Sequence, residues 1–261
     1  MKTKDLSKLA EDPRFIPGIY NYCDRWCERC AFTSHCLTYA MGEGSEADAD
    51  AHDLENDAFW RQMYAILQQT GEMTAELAKE QGVDLESIDA KSIAEEERRR
   101  HENARKSELY QAAEKYADMV GQWFAGEIGA KETGAGVGQE GVTAYVPDEV
   151  VKDATEVIHW YRFQIAVKIM RGLMGRSDED GGEEDGSQTD SDGSVKVALI
   201  GMDRSLIAWR KMLDHRPEKK ESILPILFHL ERLRRQAGQH FPHARGFIRP
   251  GFDTLHGRLI S

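Results

Sequence analysis

The sequence predicts an all-α protein: a bundle of four or five helices carrying an irregular four-cysteine segment near its N-terminal end. Three observations predict it. Apolar residues recur at spacings of three and four over five long stretches, the period of a helix with one buried face. No stretch alternates apolar and polar residues over a useful length, so no strand is expected. Charged residues make up 31% of the 261 positions beside 40% hydrophobics, which suits helices with a packed side and a broad solvated side.

Residues 1–45 are expected to form a segment of their own. Phe15, Ile16, Ile19, Tyr20 and Tyr22 give an apolar lead-in, with Pro13, Pro17 and Gly18 keeping the chain irregular. All four cysteines follow within fourteen positions, as Cys23, Cys27, Cys30 and Cys36, spaced C-x3-C-x2-C-x5-C. Cysteines used only for packing would be scattered through the helices. Thiolates this close in sequence can converge on one centre without help from the rest of the fold, so all four are read as ligands of a metal or cluster. Trp26 lies between them and is expected to pack there and keep water away. His35 adjoins Cys36 and is expected to point elsewhere, because four thiolates already complete a ligand set.

Disulfides are not expected. The opening residues Met-Lys-Thr-Lys-Asp-Leu-Ser-Lys lack the apolar core of a secretion signal, so a cytoplasmic chain with reduced thiols is the expectation. A redox dithiol at Cys27 and Cys30 would need a strand before it and a helix after it. An iron–sulfur cluster and structural zinc remain. Structural zinc commonly clamps two ligand pairs a dozen or more residues apart, whereas a cubane cluster commonly draws its ligands from one compact loop. The compact spacing makes [4Fe–4S] the first expectation and zinc the alternative.

Two resemblances follow from these residues. Cys27-x2-Cys30-x5-Cys36 resembles the last three ligands of the C-x6-C-x2-C-x5-C cluster loop of endonuclease III-type and adenine DNA glycosylases. The first gap here is three residues rather than six. That likeness covers about fourteen residues and implies a [4Fe–4S] loop, without the hairpin and aspartate that glycosylase chemistry needs. Cys23-x3-Cys27-x2-Cys30 is similar to the triad of radical SAM enzymes, but a fourth cysteine follows and no βα pattern does. The chain as a whole resembles an uncharacterised bacterial all-helical family, which implies a fold and no activity.

Residues 46–261 are expected to be the helical body, reached through an acidic link at 41–52. Phe59, Met63, Ile66, Thr70, Met73 and Leu77 form the stripe of a first helix, with Gly82 as its cap. A second helix is expected from about Ser87 or Ser92 to Phe124, polar on all sides at first and then striped by Leu109, Ala113, Tyr116, Val120 and Trp123. A glycine-rich loop is expected at 126–146. It holds Gly136-Val-Gly138-Gln-Glu-Gly141, which lacks the preceding strand of a dinucleotide site. A third helix opens at Pro147-Asp148-Glu149, is striped by Val151, Ala154, Ile158, Tyr161, Ile165, Ile169 and Leu173, and ends at Gly175.

Residues 177–193 are expected to be a disordered acidic loop. From Ser177 to Asp192 there are eight acids and no base, which accounts for −8 of the net charge of −12. A fourth helix is expected from Ser194, striped by Val195, Leu199, Met202, Leu206, Trp209 and Leu213. A fifth runs from about Glu218 to Ala237, with Pro225 giving a kink and Gly238 the end. The apolar tail is expected to pack on the bundle.

Three further constellations bear on function. Lys168 and Asp203 sit near apolar stripes, and a pairing of Asp203 with Lys168 or Arg162 is expected to fix helix register. Glu156-Val-Ile-His159 has the E-x-x-H form of di-iron carboxylate bundles, and the full set needs a second such motif with two more carboxylates. That leaves a metal-dependent bundle oxidoreductase as an alternative, with no catalytic residue assigned and no enzyme activity as the first expectation. From Arg204 onward the chain carries twelve Lys or Arg against five Asp or Glu, with Arg232, Arg234 and Arg235 close together. Weak, non-specific nucleic-acid binding is the function such a segment would allow. A protein or redox partner is compatible with the cysteine loop. No apolar run approaches a membrane span.

Overall fold

The computed structural model describes residues 12–43, 57–132, 149–179, 188–255 and 258–259. The protein is all-α. Its helices are α1 (Leu37–Glu43), α2 (Asp57–Glu80), α3 (Ala90–Lys106), α4 (Glu108–Glu132), α5 (Glu149–Glu179), α6 (Asp190–His215) and α7 (Lys220–His240). A two-residue antiparallel pairing near the C-terminus sets Thr254 opposite Leu259 and Leu255 opposite Arg258.

The chain divides into two compact units. One comprises residues 1–97 with 250–261, and the other residues 98–249, so the division falls inside α3. The expected boundary at residue 45 lies outside the described residues.

In the second unit α4 packs on α5 and α7, and α6 packs on α5 and α7. The α5–α6 contact is the most extensive, because α6 offers it a stripe of small residues. Ser191, Ser194, Ala198, Gly201, Ser205 and Ala208 follow one another at alternating spacings of three and four, and all are buried. At Gly201 a Cβ would stand 2.8 Å from Tyr161 Cδ1, so only glycine lets the α5 tyrosine lie against the α6 backbone there. The expected large stripe of α6 works beside the small one. Leu199, Met202 and Trp209 are buried, and the indole of Trp209 crosses the core to donate its N–H to the Tyr116 hydroxyl at 3.2 Å. The Ser205 hydroxyl adjoins the same oxygen without hydrogen-bond geometry of its own. Burial pushes the Tyr116 phenol up to about 12.

Several helix ends differ from expectation, each for a local reason. The second expected helix is two, because the Ser107 hydroxyl accepts the N–H of Tyr110 at 3.1 Å and starts a new helix as its cap. Residues 126–132 of the expected glycine loop belong to α4, and 133–148 lie outside the described residues. Gly175 does not end α5. It sits inside the helix with Ser191 Oγ where a Cβ would be, so its role is close approach to α6.

The acidic stretch is helical at both ends. Residues 177–179 continue α5, and α6 starts at Asp190 because Thr189 Oγ1 accepts the Asp192 N–H at 3.1 Å, with two acids in the first turn. Arg171 grips Asp190 at 2.9 and 3.0 Å, so this end is also tied to α5. The disorder expected for residues 180–187 lies outside the described residues. Gly238 is likewise internal to α7, which closes with the Phe241 N–H on the Ala237 carbonyl.

In the first unit Gly82 ends α2 as expected, with φ of +69° and the Val83 N–H on the Ala78 carbonyl. The expected α2 stripe is not buried. Met63, Ile66, Met73 and Leu77 are exposed, as are Trp60, Tyr64 and Leu67.

Candidate metal centre

The cysteine segment is built from three short 3-10 turns, Ile19–Tyr22, Cys27–Arg29 and Thr33–His35. Each is followed at once by a cysteine in extended conformation: Cys23, Cys30 and Cys36. Cys27 opens the middle turn. A 3-10 turn closes on itself in three residues, so this alternation of turn and extended cysteine reverses the chain repeatedly within a few residues. Gly18 starts the first turn with φ of +73°, and Arg25 takes the left-handed region at φ of +54° between the first two cysteines. The Cys36 carbonyl accepts the Ala40 N–H and passes the chain into α1.

All four cysteines are free thiols. Cys27 is exposed, and Cys23, Cys30 and Cys36 are half-buried. Burial pushes the Cys27 thiol up, and Cys23, Cys30, Cys36 and Glu28 each push it further, so the other three sulfurs lie within electrostatic range of the fourth. The Phe32 N–H points at Cys30 Sγ at 3.4 Å, a backbone donor of the kind that stabilises a coordinated thiolate. The Cys23 thiol faces the Tyr20 carbonyl at 3.5 Å. Among the described residues, no three His, Cys, Asp or Glu side chains already stand as a closed metal-ligand set. The four sulfurs therefore share one neighbourhood without forming a closed ligand set among the described residues.

Trp26, between Cys23 and Cys27 in the chain, is buried, and the Arg29 guanidinium covers its ring at 4.2 Å. His35 turns to the N-terminal lead-in. Its Nδ1 donates to the Arg14 carbonyl at 2.9 Å, and its own carbonyl accepts the Ile16 N–H at 3.0 Å. Ile19 is buried at 2% exposure.

The tail, expected to pack on the bundle, divides. Phe241 and Phe247 are buried in the second unit, but residues 250–253 pack on this loop instead. Phe252 meets Phe32 edge-on at 5.1 Å between centroids. Gly251 has φ of +76°, and a Cβ there would stand 2.8 Å from Ile19 Cδ1 and 3.1 Å from Ile16 Cδ1. The only signal was the pair Pro250-Gly251, which echoes Pro17-Gly18 beside the cysteines.

The other expected site residues are not brought together. Asp203 pairs with Arg234 at 3.0 Å and Arg245 at 3.2 Å, not with Lys168 or Arg162. The reason lies in α7, whose Arg234 bridges Asp203 to Glu231. Arg162 instead donates to the Ala117 carbonyl of α4 at 2.8 Å, and Lys168 is buried. His159 lies on the Phe124 ring at 4.2 Å, and burial pushes its imidazole down. It joins no group of three ligating side chains with Glu156 among the described residues. Of the three clustered arginines, Arg234 and Arg235 both face Glu231. Gly136, Gly138 and Gly141 lie outside the described residues. No helix among the described residues is long and apolar enough to cross a membrane.

Comparison with known proteins adds no second line of inference. The chain matches no protein-family model, no curated protein and no solved structure.

Proposed function

We propose that Cys23, Cys27, Cys30 and Cys36 hold an iron–sulfur cluster, [4Fe–4S], in a cytoplasmic protein whose α4–α7 form a four-helix bundle. The observation that carries the reading is the turn-and-cysteine alternation. It keeps the thiols of Cys23, Cys30 and Cys36 within electrostatic range of Cys27, with a backbone N–H on Cys30, and leaves Cys27 exposed. The bound cluster would supply either a structural staple or a one-electron carrier. The chain's own residues would supply the rest: thiolates to ligate, the Phe32 N–H to stabilise charge on Cys30, and Trp26 under Arg29 to exclude water on one side. An exposed ligand edge suits exchange of electrons with a redox partner.

Zinc is the second reading, supported by the same four thiols, and would make the segment a scaffold without redox chemistry. A bundle oxidoreductase draws no support from the Glu156 and His159 surroundings. Weak nucleic-acid binding loses two of its three arginines to Glu231.

The test is single replacement of each cysteine by serine. Each variant is expected to lose bound metal and to melt at lower temperature. Wild-type metal content in all four variants would remove the site.

A further inference from the structure

The outer seam between α4 and α7 holds a groove with one apolar end and one cationic end. Two cross-links fix the pairing of these helices. His229 Nε2 donates to the Ala112 carbonyl at 2.8 Å, and Trp123 Nε1 donates to Ser222 Oγ at 3.0 Å. Residue numbers fall along α4 as they rise along α7, so the helices run antiparallel. Met119 therefore lies alongside Pro225, and Lys115 alongside Phe228, with Arg232 a turn further along. Pro225, Phe228, His229 and Arg232 stand at i, i+3, i+4 and i+7, one face of α7, and Lys115 and Met119 stand at i and i+4 on α4. Together the six line an open depression of about 330 Å³.

The charges decide what fits. Arg234 and Arg235 of the same helix are engaged by Glu231, and Arg245 by Asp203. Among the described residues no carboxylate stands within ion-pair distance of Lys115 or Arg232. Among the described residues, Lys115 and Arg232 thus line the groove as two cations with no ion-pair partner. Phe228 lies between the Arg232 end and the Met119–Pro225 end and is 71% exposed, a large aromatic open to water. An apolar floor with a few convergent polar groups is the usual form of a small-molecule site, and this volume is at the lower end of the usual range.

We propose that this groove binds a small amphipathic carboxylate, its acid between Lys115 and Arg232 and its apolar body on Met119, Pro225 and Phe228. The proposal stands apart from the cysteine loop and from any metal there.

Octanoate is the probe, titrated into the full chain while the Met119 methyl resonance is followed. The expected result is one saturable site that shifts this resonance, with octylammonium binding at least tenfold more weakly. Phe228→Ala is expected to weaken octanoate at least tenfold. Lys115→Gln with Arg232→Gln is expected to do the same and to abolish the preference for octanoate over octylammonium. All three positions are exposed, and unchanged circular dichroism and melting temperature verify that the variants are folded. Equal response to both probes, wild-type affinity in the variants, or no saturable shift at Met119 would overturn the proposal.

Discussion

At Gly251 two constraints meet on one residue. Its φ of +76° is costly for any residue with a Cβ, and the space a Cβ would occupy belongs to Ile16 and Ile19. Those isoleucines lead into the first cysteine, so a residue near the C-terminus sets the seat of a loop near the N-terminus. Gly251→Val should therefore destabilise the loop by about 2 kcal/mol or more, the sum of a backbone and a packing penalty. A lower melting temperature together with reduced metal retention is expected. Unchanged values of both would show that the tail does not support the loop. Arg25, at φ of +54°, carries a similar backbone cost, and Arg25→Gly serves as the contrasting control that leaves melting unchanged or raises it. Neither position was legible in the sequence. The closeness of the four cysteines was, because it is a property of the sequence itself, and the structure keeps them as free thiols. A left-handed φ at arginine has no sequence signal, and the meeting of Gly251 with Ile19 spans more than two hundred residues.

Between elements, the link that joins α4 to α6 through the core is the Tyr116 hydroxyl with the Trp209 indole. The phenol is fully buried, and burial pushes it from the ordinary 10.0 up to about 12 in the folded chain. A raised value means that the contribution is fully present below pH 10. It is lost as pH rises from 10 toward 12, because the unfolded chain ionises first. Two units correspond to about 3 kcal/mol. Wild type should thus lose stability over that window more steeply than Tyr116→Phe, which has no phenol to ionise. At neutral pH the variant should be about 1–3 kcal/mol less stable, because Trp209 is left with a buried, unpaired N–H. Parallel alkaline slopes in chemical denaturation would contradict this account. Helix existence was legible from period alone, since Tyr116 and Trp209 are both on the expected stripes. The tightest helix pair was not, because Ser191, Ser194, Ala198, Gly201 and Ser205 are too small or too polar to register as a hydrophobic stripe. Helix ends were misplaced for a related reason: Ser107 and Thr189 act through one hydrogen bond each, which any serine or threonine might make.

Across the whole molecule, the two units carry different kinds of information. Residues 98–249 bury nearly all of the large side chains of the core, and their all-α character followed from the sequence because periodicity is a property of the entire stretch. Residues 12–43 bury little beyond Ile19 and Trp26, so apolar packing alone is a weak warrant for their order. The four cysteines of this loop are free thiols, so no disulfide adds to its small core, and the metal centre proposed above would be the added source of cohesion. The α2 face shows the opposite limit of sequence reading. Its stripe predicted burial, and Met63, Ile66, Met73 and Leu77 are exposed, because a hydrophobic period says that a face wants cover and not what covers it. The functional reading rests on whether the cysteine loop holds a [4Fe–4S] cluster. Its most direct test is iron and acid-labile sulfide analysis of the full chain purified without oxygen, read beside zinc. The expected result is brown protein with about four iron and four sulfide per chain, both lost in Cys30→Ser. Colourless protein with about one zinc per chain, or protein with neither metal, would contradict it.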